Sequence, residues 1–190
     1  EAEKFYLQAT NLGDLQSIYD LEMLYKKTGQ HGKRFDLYQE LANAGKSSAQ
    51  IALGNLYLEG VQEKGIDPNT DEAIEWYAKA AAQGDIKGEF FLGRIYFKLR
   101  NYDEAAKYFK QINDNPQAEK ILGKQSLGEV KNALGNIYAK QRGSSRKAVK
   151  LYEESQALGS PNAQEALNIL SEKLPKPKMD EYGQKYQPLL

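Results

Sequence analysis

Few side chains in this sequence have the chemistry of a catalytic or metal-binding site. His31 is the only histidine among the 190 residues, and it lies in a turn flanked by glycines, where it lacks the partners that general acid–base catalysis needs. Because there is no cysteine, the chain has neither a thiolate nucleophile nor a thiolate zinc ligand. No glycine-rich phosphate-binding motif occurs either. We therefore predict a protein that is not an enzyme and that has no catalytic residue, no metal and no cofactor.

The acidic stretch at residues 67–71 has the oxygen ligands of a calcium-binding loop but not its spacing. The glycine that should follow is missing, and Ala78 stands where the late glutamate ligand belongs. The same residues, Asp-Pro-Asn-Thr-Asp, are typical of a turn that leads into a helix. We interpret them as a loop in which Asp71 or Thr70 caps the following helix.

The elements around this loop are two amphipathic helices, which together occupy residues 49–84. Each helix has apolar residues at the 3.6-residue spacing that predicts one buried face; the two sets are Ala49, Leu53, Leu56 and Tyr57, and then Ala73, Trp76, Tyr77, Ala80 and Ala81. Gly54 interrupts the first stripe, although glycine is unfavourable inside a helix. We expect it where a neighbouring backbone comes very close. Gly84 is predicted to end the second helix with a positive φ.

Weaker copies of this unit recur along the chain, with corresponding leucines at positions 21, 53, 92, 134 and 167. We predict one repeat domain over residues 1–172, with about three full units and a half-unit at each end. Residues 113–128 break the pattern and are interpreted as an irregular insertion that contains a short helix. Residues 173–190 form a tail rich in proline and lysine, which we expect to dock partly through Tyr182, Tyr186, Leu189 and Leu190.

The overall composition excludes some classes of partner. The chain has 26 basic and 26 acidic residues, so we predict no nucleic-acid-binding face. No apolar run approaches the roughly 18 residues of a membrane span. Residues 1–13 match the second half of the central unit, which suggests a fragment of a longer protein with any targeting signal upstream.

The pattern A-x-x-x-L-G-x-x-Y, a variable loop, and A-x-x-W-Y-x-x-A-A-x-x-G resembles the Sel-one-like repeat (SLR), a branch of the tetratricopeptide repeat (TPR) superfamily. The resemblance covers residues 1–172, with departures at Glu22 and in the insertion. It implies an all-α fold, a right-handed α-solenoid of stacked antiparallel helix pairs whose first helices line a concave surface. It also implies a scaffold that holds protein partners in a multiprotein complex. Many such proteins are bacterial adaptors in cell-envelope assembly, exopolysaccharide export or virulence, so a periplasmic or envelope-associated location is favoured over a cytoplasmic one.

Side chains that project from the first helices away from the helix-pair interface are the candidate partner-binding residues. Those positions are Ile51, Asn55, Leu58, Glu59, Phe90, Arg94, Phe97, Lys98, Asn132 and Asn136, with Ala139 and Lys140 in the same places. Two interpretations of Phe90 and Phe97 stay open. They either pack against the adjacent repeat or form an anchoring patch with Arg94 and Asn55, since aromatic residues and arginine dominate binding hot spots.

An alternative function is direct binding of a polysaccharide or peptidoglycan strand by exposed aromatic side chains. The tyrosines that recur at equivalent repeat positions argue against it, because that recurrence predicts repeat packing; they are Tyr6, Tyr25, Tyr38, Tyr57, Tyr77, Tyr96 and Tyr138. Self-association is a further hypothesis, since both ends of the repeat domain have an unpartnered helix.

Overall fold

The computed structural model describes residues 15–173, 178–179 and 185–186, and within these residues the secondary structure is almost entirely helical. The α-helices are α1 (Leu15–Lys27), α2 (His31–Asn43), α3 (Ser47–Glu59), α4 (Thr70–Ala82), α5 (Ile86–Lys98), α6 (Tyr102–Asp114), α7 (Ala118–Lys140), α8 (Ser145–Ala157) and α9 (Ala163–Lys173). Two strands of two residues each, β1 (Lys178–Met179) and β2 (Lys185–Tyr186), pair antiparallel. The predicted all-α class is therefore confirmed. The expected docking of Tyr182, Leu189 and Leu190, and the half-unit at residues 1–13, lie outside the described residues.

The chain divides into two units, residues 1–95 and 96–190. In the first unit, α1 packs on α2, α2 on α3, and α3 on α4. In the second unit, α6 packs on α7, α7 on α8, and α8 on α9, while α9 also contacts α7. None of the helices among the described residues is long and apolar enough to cross a bilayer.

The predicted leucine positions lie in the cores of these helix pairs. Leu21, Leu53 and Leu92 are completely inaccessible to solvent, Leu134 is nearly so, and Leu167 packs half-buried against its neighbours. A stripe of this kind stabilises a helix pair mainly through the apolar area that it removes from water. The periodicity of the sequence thus identified the buried face of each first helix.

The irregular stretch at residues 113–128 contains a break in the helical backbone. Helix α6 ends at Asp114, and α7 has non-helical backbone angles at Gly123, with φ 80° and ψ 161°. A positive φ of this size favours glycine, because a Cβ would collide with the neighbouring backbone. Residues 118–122 are therefore a short helical segment before the kink.

The N-terminus of α4 is capped by a residue other than the predicted ones. Asn69 is the N-cap, and its Oδ1 accepts hydrogen bonds from the backbone N–H groups of Asp71 at 3.0 Å and Glu72 at 3.1 Å. The prediction of Asp71 or Thr70 as the cap was wrong, because both residues already lie in the first turn of the helix. Asparagine at this position is one of the strongest N-caps.

The long loop between α3 and α4 is attached to the preceding helix pair. The carboxylate of Glu63 accepts hydrogen bonds from the backbone N–H of Gly32 at 2.6 Å and of His31 at 3.3 Å, in the first turn of α2. Gln30, which precedes this helix, provides no side-chain cap. Glu63, 31 residues beyond Gly32 along the sequence, therefore accepts hydrogen bonds from the free N–H groups of α2. Its negative charge also lies at the positive end of the helix dipole.

We expect Glu63→Ala to lower the free energy of unfolding by about 1 kcal/mol, the usual value of a lost N-cap. Lys64→Ala is the matched control, since it removes only the exposed ion pair of Lys64 with Asp36 at 2.7 Å. Such exposed pairs contribute about 0.5 kcal/mol or less. Urea denaturation of the two variants beside the parent measures both values. Equal losses in the two variants would contradict the capping role of Glu63.

Candidate functional site

In both units a tyrosine of the second helix lies against a Gly-Asn pair of the first helix. A Cβ on Gly54 would lie only 2.6 Å from Cε1 of Tyr77, and a Cβ on Gly135 only 2.7 Å from Cε1 of Tyr152. The expectation that a backbone approaches Gly54 was therefore wrong, because an aromatic ring occupies that space. Glycine is needed at both positions to let the tyrosine ring reach the first helix.

The tyrosine hydroxyls are held by the asparagines that follow these glycines. Tyr77 donates a hydrogen bond to Oδ1 of Asn55 at 2.6 Å, and Tyr152 donates to Oδ1 of Asn136 at 2.8 Å. Both asparagines were predicted to bind a partner. Their carbonyl oxygens are engaged inside the repeat, so any role in binding falls to the Nδ2 donors.

In the first repeat that the structure describes, formed by α1 and α2, Glu22 occupies the position that glycine has in the other two repeats. The tyrosine of this repeat is therefore held by different contacts. Its carboxylate pairs with Arg34 at 3.4 Å, and the Arg34 guanidinium lies 5.6 Å from the centroid of the Tyr38 ring. Burial and the charge of Glu22 raise the pKa of the Tyr38 hydroxyl well above its usual value, although Arg34 acts in the opposite direction. The departure at Glu22 is thus compensated by an ion pair that keeps the tyrosine in place.

The hydroxyl of Tyr77 lies near two of the predicted partner-binding residues. Burial is the largest cause that raises the pKa of Tyr77, the charge of Glu59 raises it further, and the charge of Arg94 lowers it. Burial alone raises the pKa of Tyr152. At neutral pH these tyrosines are therefore neutral hydrogen-bond donors, suited to positioning the asparagines.

The predicted residues of the first unit separate into buried and exposed side chains. Ile51 and Phe90 are buried, whereas Leu58, Glu59 and Arg94 are exposed. The Arg94 guanidinium lies 5.4 Å from the ring centroid of Phe90. For Phe90 this placement fits the interpretation that it packs against a neighbouring helix.

In the second unit the structure brings five of the predicted residues, Phe97, Asn132, Asn136, Ala139 and Lys140, to one surface depression. A cleft of about 360 Å³ is lined by Phe97, Asn136, Ala139, Lys140, Tyr152, Ala166, Ile169 and Leu170. A second cleft of about 300 Å³ is lined by Glu129, Asn132, Ala133, Asn136, Ser160, Asn162, Glu165, Ala166 and Ile169. Because the two clefts share Asn136, Ala166 and Ile169, they adjoin each other along α7 and α9, and the two together are described as one surface depression. We call this depression the α7–α9 groove; Lys98, also predicted, is exposed but does not line it.

The described residues hold no cluster suited to a metal, since no three His, Cys, Asp or Glu side chains come together among them. The recurring tyrosines in this part of the chain are buried or half-buried, and Trp76 is buried with the Lys79 ammonium 3.6 Å from its ring centroid. This arrangement provides no support for a carbohydrate platform of stacked tyrosines. The surface depressions among the described residues include the α7–α9 groove in the second unit and, in the first unit, a cleft of about 250 Å³ whose lining includes Tyr19 and Tyr38.

Comparison with known families identifies the repeats. The profile of the Sel1 repeat matches residues 47–85, and that of a tetratricopeptide repeat matches residues 90–121. The chain contains Sel1-like repeats of the tetratricopeptide repeat superfamily. Proteins built from these repeats generally mediate protein–protein interactions, and the fold is typically a non-catalytic scaffold.

The chain is similar to parts of longer curated proteins. It is similar to the human protein sel-1 homolog 2, with 31% identity over 60% of this chain and 17% of the relative. It is also similar to the chitin synthase regulator SKT5 of Saccharomyces cerevisiae, with 27% identity over 85% of this chain and 22% of the relative. The chain thus spans about a fifth of the length of the curated relatives that it matches.

A solved structure supports the predicted fold class. The Sel1 repeat protein from Oxalobacter formigenes superimposes with a TM-score of 0.63 and 24% identity, over 88% of this chain and 71% of that one. The prediction of an α-solenoid built from helix pairs is therefore confirmed.

The Sel1-like repeat pattern contained a signal for groove residues that were not predicted. Ile169 follows Leu167 by two positions, as Asn136 follows Leu134, so it occupies an equivalent place on α9. The sequence predicts an unpartnered helix at this end of the repeat domain, and the candidate positions therefore include no residue of α9. Glu165 precedes Leu167 by two positions, as Asn132 precedes Leu134, so it too occupies a candidate place, on α9. Glu129 has no such signal, since it lies nearer the N-terminal end of α7 than Asn132, the first candidate position on that helix.

Proposed function

We propose that this chain is a non-enzymatic scaffold that holds an extended segment of a partner protein in the α7–α9 groove. The observation that carries the proposal is Ile169. This isoleucine is 49% exposed in the shared middle of the groove, where an apolar side chain from a partner would remove it from water. Phe97 and Leu170 extend the apolar lining toward one end.

Polar groups along the same groove suit a polypeptide. Asn132 is only 7% exposed, lines the groove, and makes no side-chain hydrogen bond with the described part of the chain. The N–H and C=O groups of an extended peptide would pair with this side-chain amide. The predicted residues of the first unit that remain exposed, Leu58, Glu59 and Arg94, are proposed as a second contact surface for partner proteins.

We further propose that this scaffold serves as an adaptor in a multiprotein assembly of a bacterial cell envelope, of the kind that exports exopolysaccharide or supports virulence. One relative is named a chitin synthase regulator, which associates a protein with these repeats with the synthesis of a polysaccharide. The partner in this proposal is a protein, and the location is periplasmic or envelope-associated.

The test of the groove uses Ile169→Arg with Ile121→Arg as its matched control. Ile121 is 41% exposed in the same unit but does not line the groove, so both substitutions place an arginine at an exposed isoleucine. We expect Ile169→Arg to weaken partner binding at least tenfold, about 1.4 kcal/mol, and Ile121→Arg to leave it unchanged. Circular dichroism first establishes that both variants fold like the parent.

The measurement is a pull-down combined with crosslinking mass spectrometry. Crosslinks from one specific partner to residues of α7 and α9, lost in Ile169→Arg, would support the groove. Crosslinks of the same partner to residues 174–190, with normal binding by Ile169→Arg, would show that the groove is not the binding surface.

A further inference from the structure

One face of α7 has acidic, amide and basic side chains in succession along the groove. Glu129, Asn132, Asn136 and Lys140 are separated by three, four and four residues, so they lie on the same side of the helix. From Glu129 to Lys140 the helix rises by about 16 Å. An extended polypeptide covers that distance with about five residues.

The glutamate end of the groove carries negative charge that no described cation neutralises. Glu129 of α7 and Glu165 of α9 line the same cleft, and neither forms an ion pair with any of residues 15–173. Both are exposed, so they remain available to a basic group of a partner.

The opposite end of the groove carries a positive charge. Nζ of Lys140 donates a hydrogen bond to the Tyr102 hydroxyl at 3.2 Å and lies 4.4 Å from the centroid of that ring. It has no carboxylate partner within the helices that the structure describes. The tyrosine therefore orients the ammonium without neutralising it.

The middle of the groove is apolar, with amide groups along α7. Ile169 lies opposite these amides, Asn132 is unpaired, and Asn136 has its Oδ1 engaged by Tyr152 and its Nδ2 free of any described acceptor. Such a surface binds the backbone of an extended segment through the amides and one apolar side chain through the isoleucine.

We propose that the groove selects an extended segment of about five residues by its charge order. A basic side chain would lie between Glu129 and Glu165, an apolar side chain against Ile169, and an acidic side chain at Lys140. The inference rests on the proposed function and specifies the chemistry of the segment that the groove takes. Opposite charges at the two ends fix the register and orientation of the bound segment, because the reversed placement puts like charges together at both ends.

The experiment is to pan a phage library of random dodecapeptides against the purified chain and against the charge-reversed variant Glu129→Lys/Glu165→Lys/Lys140→Glu. We expect the parent to enrich peptides in which a basic and an acidic residue flank an apolar one at this spacing. Fluorescence anisotropy should show that the reversed variant binds these peptides at least tenfold more weakly, as expected when two attractive ends become repulsive. Lys98→Glu is the control, because this exposed lysine does not line the groove, and its affinity should stay within about twofold of the parent.

The outcomes separate this inference from the function on which it rests. The selected peptides could lack any charge order, bind the parent and the reversed variant equally, and fail to bind Ile169→Arg. That result would overturn the charge selection and leave the groove as a binding surface. Peptides that bind Ile169→Arg as well as the parent would overturn both. Loss of the parent-selected peptides in the reversed variant alone, with Lys98→Glu unaffected, would establish the proposal.

Discussion

Gly88→Ala should lower the free energy of unfolding of the first unit by about 3 kcal/mol, although alanine is the better helix former. A Cβ on Gly88, in α5, would lie 2.8 Å from the backbone N of Ala81 and 3.0 Å from both the carbonyl oxygen of Tyr77 and Cβ of Ala80. All three neighbouring atoms belong to α4, and two of them are backbone atoms. The close contact can therefore be relieved only if α4 and α5 move apart. Intrinsic propensity alone would favour the alanine by about 1 kcal/mol, so the two effects have opposite signs.

The measurement is urea denaturation followed by the fluorescence of Trp76, the only tryptophan of the chain, which lies in α4. Gly32→Ala is the matched control, because its new Cβ would meet Oε2 of Glu63 at 2.9 Å, at the far end of a flexible side chain. We expect this variant to lose less than about 1 kcal/mol. A Gly88→Ala protein as stable as the parent would show that the two helices separate at little cost.

Alkaline pH should destabilise the chain steeply, starting above the ordinary tyrosine pKa of 10.0. Burial raises the pKa of Tyr38 and of Tyr77, so above this pH the unfolded chain loses two protons that the folded chain retains. The stabilising contribution is complete below the unfolded pKa and is lost as the pH rises toward the folded pKa. Each such tyrosine lowers the free energy of unfolding by at most about 1.4 kcal/mol per pH unit in that range, and solvent screening of these partly buried hydroxyls reduces the effect.

Tyr77→Phe isolates one of these contributions. Its free energy of unfolding should lie about 1 kcal/mol below the parent near pH 8, since the hydrogen bond to Asn55 is lost, and should then fall less steeply above pH 10. Urea denaturation by circular dichroism between about pH 8 and 11.5 measures the slopes, with Tyr19→Phe as a control for the substitution itself. If Tyr77→Phe and the parent had the same slope, the buried hydroxyl would not be the group responsible.

The repeat architecture was largely accessible from sequence because its signals are local. The leucines at positions 21, 53, 92 and 134 mark buried helix faces, and Gly84 follows α4 with a φ of 78°, as predicted. A helical period needs only neighbours three and four residues apart, so a single unit contains the whole pattern.

The pairings between helices were less predictable. Nothing in the pattern around Gly54 indicates whether a ring or a backbone fills the adjacent space, since both require a small residue there. Likewise, Glu63 is an unremarkable loop residue until the loop brings it to the N-terminus of α2. These contacts depend on where each loop places the residues that follow it, and the composition of the loop does not determine that position.

The sequence by itself determined the helix pairs, their buried faces and the presence of Sel1-like repeats, because these follow from periodicity within one repeat. Only the tertiary structure decided which projected side chains are accessible. Ile51, Phe90 and Asn132 are buried, whereas Glu165, at the same repeat place on α9, is exposed. It also decided that α9 supplies the second wall of the groove, with Ile169 opposite Asn136. The physical reason is that burial depends on which neighbouring helix covers a position, and this is set by the packing between repeats.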